Sequence, residues 1–282
     1  MTYITDFGKN LFKKNNIGII VFLILNTIIV ALIFDSVVLG IIIYIISLAI
    51  ALSPIGEWLL RIQTGSKKIE RKDYLNRLDP LFQEVLVKAR ELNPSIPEDV
   101  KLFMSNDKVP NAFATGRKTI CLTKGLLDYS DAQIKAVFAH ELGHLGNKDT
   151  DLILLVAIGN FIVTIAFILF RVFFNVMGTL MAIINDSLGT LIITIFVDGI
   201  LVFFMWGWTK IGLALVMHSS RQNEYLADEF AFELGYGNNL CSVLDTFYGG
   251  NSKGLWANLA SSHPDTNNRI AKLQELGCEY TA

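Results

Sequence analysis

The stretch His140-Glu141-Leu142-Gly143-His144 sets two imidazoles four residues apart, with a carboxylate directly after the first. On a helix this spacing puts His140 and His144 on one face, one turn apart, so both can offer a ring nitrogen to a single ion. Glu141 lies at another angle around the helix. It is placed to take a proton from a water beside the ion rather than to bind the ion. A chain of this length produces the bare H-E-x-x-H pattern by chance on the order of 1 time in 100, so the pattern is specific.

Two imidazoles do not complete a catalytic zinc site, which takes three protein ligands and keeps one position open. The stretch "SRQNEYLADEFAFELGYG" supplies Glu224 and Asp228, again four apart at helical spacing. Glu224 is the expected third ligand. Asp228, one turn on, is expected to accept the free ring N–H of a ligating histidine and so fix its tautomer. The blander readings are a solvated helix surface for Glu224 and an ion pair with Arg221 for Asp228. His218 follows an apolar span and reads as interfacial.

The elements that must carry these residues are legible around them. "YSDAQIKAVFAHELGHLGN" reads as a helix: Ser130 can cap it, Gln133 completes an S-x-x-Q box, and Ile134, Val137, Phe138, Leu142 and Leu145 recur at helical spacing. "KTICLT" alternates as an exposed strand does, and an extended peptide could add to such a strand through main-chain hydrogen bonds. Asn111, Ala112 and Phe113 open that segment and are candidate substrate contacts. Near the C-terminus, His263 and Arg269 could stabilise an oxyanion or hold the Glu224 helix. The competing reading there is a capped helix packing through Ile270 and Leu273.

A hydrophobic fraction of 52% and a mean hydropathy of +0.46 are too high for a soluble protein and point to a membrane. Ile17–Phe34 and Ser36–Ser53 are uncharged runs separated by Asp35. Leu152–Phe170 is a third, and Leu188–Thr209 a fourth, broken only by Asp198. The intervening "RVFFNVMGTLMAIIND" either lies at the interface or extends the spans, and Asp198 either lines a substrate route or pairs with Lys210 or Arg171.

The organisation expected is a transmembrane hairpin over 1–54, a first soluble part over 55–150, a second helix pair over 151–217 and a second soluble part over 218–282. Cleavage of the first run as a signal peptide is disfavoured, because the second run would still anchor the chain. Lys9, Lys13 and Lys14 before the hairpin, with Arg61, Lys67, Lys68, Arg71 and Lys72 after it, place both termini and the soluble parts in the cytoplasm. A net charge of −2 gives no field for nucleic acid. Cys121, Cys241 and Cys278 are too few and too scattered for a disulfide framework or a thiolate metal site.

With these residues assembled, the chain resembles the HtpX-type membrane zinc metalloproteases, relatives of the CAAX-prenyl proteases. The resemblance is carried by the H-E-x-x-H at 140–144, the downstream Asp149, the E-x-x-x-D of Glu224 and Asp228, "PNAFATGRKTICLT", and the H-P-x-x-x-x-R-I within "SSHPDTNNRIAKL". It implies a mainly α membrane protein with a small β-sheet, in which a gluzincin-like zinc protease domain is fused to about four transmembrane helices. It further implies one Zn2+ per chain, endopeptidase action on membrane or misfolded proteins, and a multi-pass place in the bacterial inner membrane. The stretch from Ser53 to Val85 diverges from the family pattern and leaves room for a specialised substrate. A scaffold or holdase that keeps the fold without turnover is the alternative.

Overall fold

The computed structural model describes residues 2–246 and 266–281. A short helix α1 (Thr2–Leu11) leads through a 3-10 turn into α2 (Ile17–Ile33) and α3 (Val37–Ala51). Asp35, at φ 49°, makes the tight turn between them. The two helices pack closely, since a Cβ on Gly40 would stand 2.6 Å from Ala31 Cα. At about 1.5 Å per residue they are roughly 25 and 22 Å long, shorter than the 18-residue apolar runs allow. The shortfall has local causes: the Asp35 turn ends one helix, and Ser53-Pro54 begins another. Ser53 caps that next helix, α4 (Pro54–Gln63), with proline in its first turn. α4 is bent 73° from α3.

The soluble part starts with strand β1 (Lys67–Lys68) and α5 (Lys72–Leu92). Then come β2 (Lys101–Ser105), β3 (Ala112–Thr115), β4 (Thr119–Thr123) and α6 (Asp131–Asn147). The sheet order is β1-β2-β4-β3, with β2 and β4 parallel and the other pairs antiparallel. β3 is therefore an edge strand, and it runs beside α6. The core joins Phe82, Val85 and Leu86 of α5 to Ile120 and Leu122 of β4 and to Ile134, Phe138 and Leu142 of α6. The edge of Phe138 meets Phe82 at 5.2 Å between ring centroids.

α7 (Asp149–Ile184) and α8 (Leu188–Glu233) form a second hairpin, 36 and 46 residues long. α7 continues through the segment that sequence left between interface and span. It turns only at Asn185–Ser187, where Asp186 has φ 47°. Arg171, Asn175 and Asp198 explain how charge enters this apolar pair: Arg171 donates two hydrogen bonds to Asp198, at 2.7 and 2.6 Å, and Asn175 donates a third at 2.8 Å. Arg171, not Lys210, is the partner of Asp198. α8 passes unbroken from its apolar half into the soluble core, so the boundary expected at 217/218 falls inside a helix. α9 (Gly237–Thr246) and α10 (Thr266–Leu276) complete the described residues.

Asp149–Ile184 and Leu188–Gly212 are long and apolar enough to cross a membrane. α3 with α4 qualifies only as a bent pair, and α2 is a shorter apolar helix. Their outer faces carry exposed side chains such as Ile45, Phe173, Ile193 and Phe203, which belong against lipid rather than water. The chain is a mainly helical membrane protein with a small mixed sheet.

Candidate metal centre

α6 starts where the S-x-x-Q box sets it: Ser130 Oγ accepts from Gln133 N–H, and the Gln133 side chain reaches back to Ser130 N–H. Three turns later the helix buries His140 and Glu141, both 4% exposed. Gly143 between them and His144 has a steric role, because a Cβ there would stand 3.0 Å from Ala227 Cα. The absent side chain lets α8 approach α6 and bring Glu224 to the imidazoles.

One ligand atom from each of His140, His144 and Glu224 falls within 4.8 Å of the others. The Nε2 atoms of the two histidines are 3.2 Å apart. Glu224 Oε2 lies 3.5 Å from His140 Nε2, and Oε1 lies 3.3 Å from His144 Nε2. The opposite ring nitrogens are each paired with a carboxylate: His140 Nδ1 with Asp228 Oδ1 at 2.9 Å, and His144 Nδ1 with Asp149 Oδ2 at 3.3 Å. Nδ1–H donation to those oxygens leaves both Nε2 lone pairs directed at the shared point.

Asp149 reaches His144 because Lys148 adopts a left-handed conformation, φ 62°, and reverses the chain from α6 into α7. Lys148 Nζ secures that turn on the carbonyl of Ser95 at 3.1 Å. Asn10 of α1 donates to the other Asp149 oxygen at 3.3 Å, tying the N-terminal helix to the cluster.

Arg269 of α10 is 2% exposed and runs between the two acidic side chains of α8. It donates to Asp228 from Nε at 2.7 Å and from Nη2 at 2.6 Å, while Nη1 lies 2.9 Å from Glu224 Oε2. It therefore orients both carboxylates. Burial opposes charge on Arg269, yet Glu224 and Asp228 hold its pKa above the ordinary value.

The carboxylates of Glu141, Asp149, Glu224 and Asp228 outnumber the single guanidinium of Arg269 around the imidazoles. Burial works against the imidazolium of His140, but hydrogen bonds to Asp228 and Glu224 raise its pKa; Asp149 and Glu224 raise that of His144 still further. The pocket is an electrostatic sink for positive charge. Two imidazole nitrogens and a carboxylate oxygen converging there suit a divalent transition metal, zinc foremost.

Glu141 does not join that convergence. Its Oε2 accepts the backbone N–H of Ala114 at 2.6 Å, which binds it to edge strand β3. Thr123 N–H donates to the Asn111 carbonyl. By alternation along the antiparallel pair, Phe113 and Thr115 face β4, while Ala112 and Ala114 turn their backbone groups outward. Of the three residues anticipated from sequence, Asn111 and Ala112 line a pocket beside His140 and Glu141, together with Val137, Leu240 and Val243. Phe113 points its backbone away from it. Ala114 was missed, because strand parity needs the register with β4. His218 lies on α8, and His263 is outside the described residues.

Apolar helices joined to a buried His–His–Glu cluster able to hold a metal are what a membrane metalloprotease requires. The family model described as Peptidase family M48 matches residues 76–277. A Protease HtpX homolog of Neisseria meningitidis is 34% identical over 216 residues, covering 70% of this chain and 72% of the relative. Protease HtpX of Ectopseudomonas mendocina is 27% identical over 248 residues, covering 79% and 81%. Among solved structures, Ste24p of S. mikatae aligns at 21% identity with a TM-score of 0.44, over 96% of this chain and 65% of that one. The chain belongs to peptidase family M48.

Proposed function

We propose that the chain is a zinc-dependent endopeptidase of the inner membrane, with Glu141 as general base and His140, His144 and Glu224 as metal ligands. The observation that carries this reading is the convergence of those three ligand atoms, with Glu141 beside them but turned to the substrate strand. Zinc at that point would supply a Lewis acid that polarises a peptide carbonyl and brings the acidity of water near neutrality.

Glu141 takes the proton of the attacking water and delivers it to the leaving amine nitrogen. The Ala114 N–H holds one carboxylate oxygen and leaves the other to move the proton. A substrate binds extended against the outer edge of β3, pairing with the outward backbone groups of Ala112. The side-chain oxygen of Asn111 is buried with no hydrogen-bond partner among the described residues. A substrate main-chain N–H supplies that partner. The neighbouring Val137, Leu240 and Val243 favour an apolar substrate side chain.

Asp228 and Asp149 fix the tautomers of His140 and His144, and Arg269 positions Asp228 and Glu224. Both termini and the site face the cytoplasm, and the substrates are membrane or misfolded proteins met at the inner leaflet. The test compares wild type with Glu141→Gln on an unfolded membrane-protein substrate. Retained metal with lost cleavage supports the protease; full cellular activity in Glu141→Gln supports a scaffold.

A further inference from the structure

The polar face of α4 grips the hairpin that ends in the substrate strand. Glu57 accepts the Arg117 N–H at 2.7 Å and the Thr119 hydroxyl at 2.9 Å. Arg61 donates to Thr119 at 3.1 Å and stacks over the Phe103 ring at 4.4 Å. The β3–β4 turn fits under Glu57 only because Gly116, at φ 61°, has no side chain; a Cβ there would lie 2.2 Å from Glu57 Cγ. Thr150, at the start of α7, donates to the Gly116 carbonyl at 2.5 Å. The hairpin tip is thus held where two apolar helices emerge.

Another face of α4 is exposed among the described residues. Ile55, Trp58 and Ile62, spaced i, i+3 and i+7, are 54%, 53% and 58% exposed and share one side of the helix. The preceding α3 also carries exposed apolar side chains, Ile42, Ile45 and Ile46. The 73° bend lays α4 nearly across the direction of α3. An indole flanked by aliphatic side chains on a helix lying across a span suits the interfacial zone of a bilayer. Exposed Lys67 and Lys68, just beyond α4, add attraction to anionic headgroups.

We propose that α4 lies in the bilayer surface through Ile55, Trp58 and Ile62 and, through Glu57 and Arg61, anchors the β3–β4 hairpin beside the metal centre to the lipid. Membrane contact then stiffens the strand that borders Glu141. The inference depends on the membrane placement of α3, and neither readout below uses cleavage, so it can fail while the proposed chemistry stands.

The full chain in phosphatidylcholine–phosphatidylglycerol nanodiscs tests it in two measurements. In the first, wild type minus Trp58→Phe isolates the Trp58 emission. We expect quenching by lipids brominated high on the acyl chain and little by aqueous iodide. Quenching by iodide alone, or shielding from both by a second copy of the chain, overturns the proposal. In the second, Ile55→Ser/Ile62→Ser is compared with wild type by hydrogen exchange. Exchange across residues 112–119 should rise several-fold while α6 keeps its protection; unchanged exchange at 112–119 overturns the coupling. If α6 also loses protection, the lipid quenching of the folded Trp58→Phe pair decides.

Discussion

At the residue scale, the metal centre depends on a division of labour between the two oxygens of each acid. Glu224 offers Oε1 toward His144, while Oε2 is shared between His140 and Arg269. Replacing Glu224 by Ala removes a proposed ligand and leaves Arg269 buried beside Asp228 alone, so metal content should collapse. Asp228→Asn keeps the shape but loses the charge that favours Nδ1–H on His140, and should cost about 10–100-fold in metal affinity by competition with a chelator. Arg269→Met strands two buried carboxylates. A loss of about 3–5 kcal/mol is expected in denaturant unfolding of the detergent-solubilised protein, with partial recovery in excess zinc. Glu141→Gln touches no ligand. Cleavage should fall roughly 100- to 10,000-fold with metal retained, which separates proton transfer from metal binding.

At the element scale, the approach of α6 to α8 sets the ligand distances, and Gly143 permits it. Gly143→Val forces branched carbons against the Ala227 backbone. The variant should lose about 1–3 kcal/mol and bind zinc more weakly, while Gly143→Ala, needing only a small shift, should lie between it and wild type. The spacing of His140, Glu141 and His144 on α6, and of Glu224 and Asp228 on α8, was readable from sequence because each set lies within two turns of one helix. Helical period alone sets the relative placement there. Ala114 was hidden, since the outward direction of a strand's backbone depends on its partner's register. Arg269 was ambiguous for a similar reason: its partners stand 41 and 45 residues away on another helix, and no local pattern reports them.

At the scale of the whole molecule, α8 joins the apolar hairpin and the candidate metal centre in one rod, from Leu188 at the hairpin tip to Glu233 past Glu224 and Asp228. The apolar runs were plain in sequence, but their lengths were not. Asp35 and Ser53-Pro54 shorten the first hairpin, while α7 absorbs the polar Arg171 and Asn175 because Asp198 answers them across the helix pair. If the second hairpin crosses the bilayer, its turn lies opposite the protease part. A cysteine at Asp186 should react with an impermeant maleimide from the outside of spheroplasts, and one at Lys67 only after lysis. The three native cysteines are buried and should add little background. Labelling of both from the same side would refute the crossing.

The most direct test of the account is the zinc content of purified protein, measured by mass spectrometry for wild type, Glu141→Gln and Glu224→Ala side by side. The account predicts about one zinc per chain in the first two and a near-complete loss in the third. Full zinc occupancy in Glu224→Ala, or none in wild type purified without chelator, would contradict it.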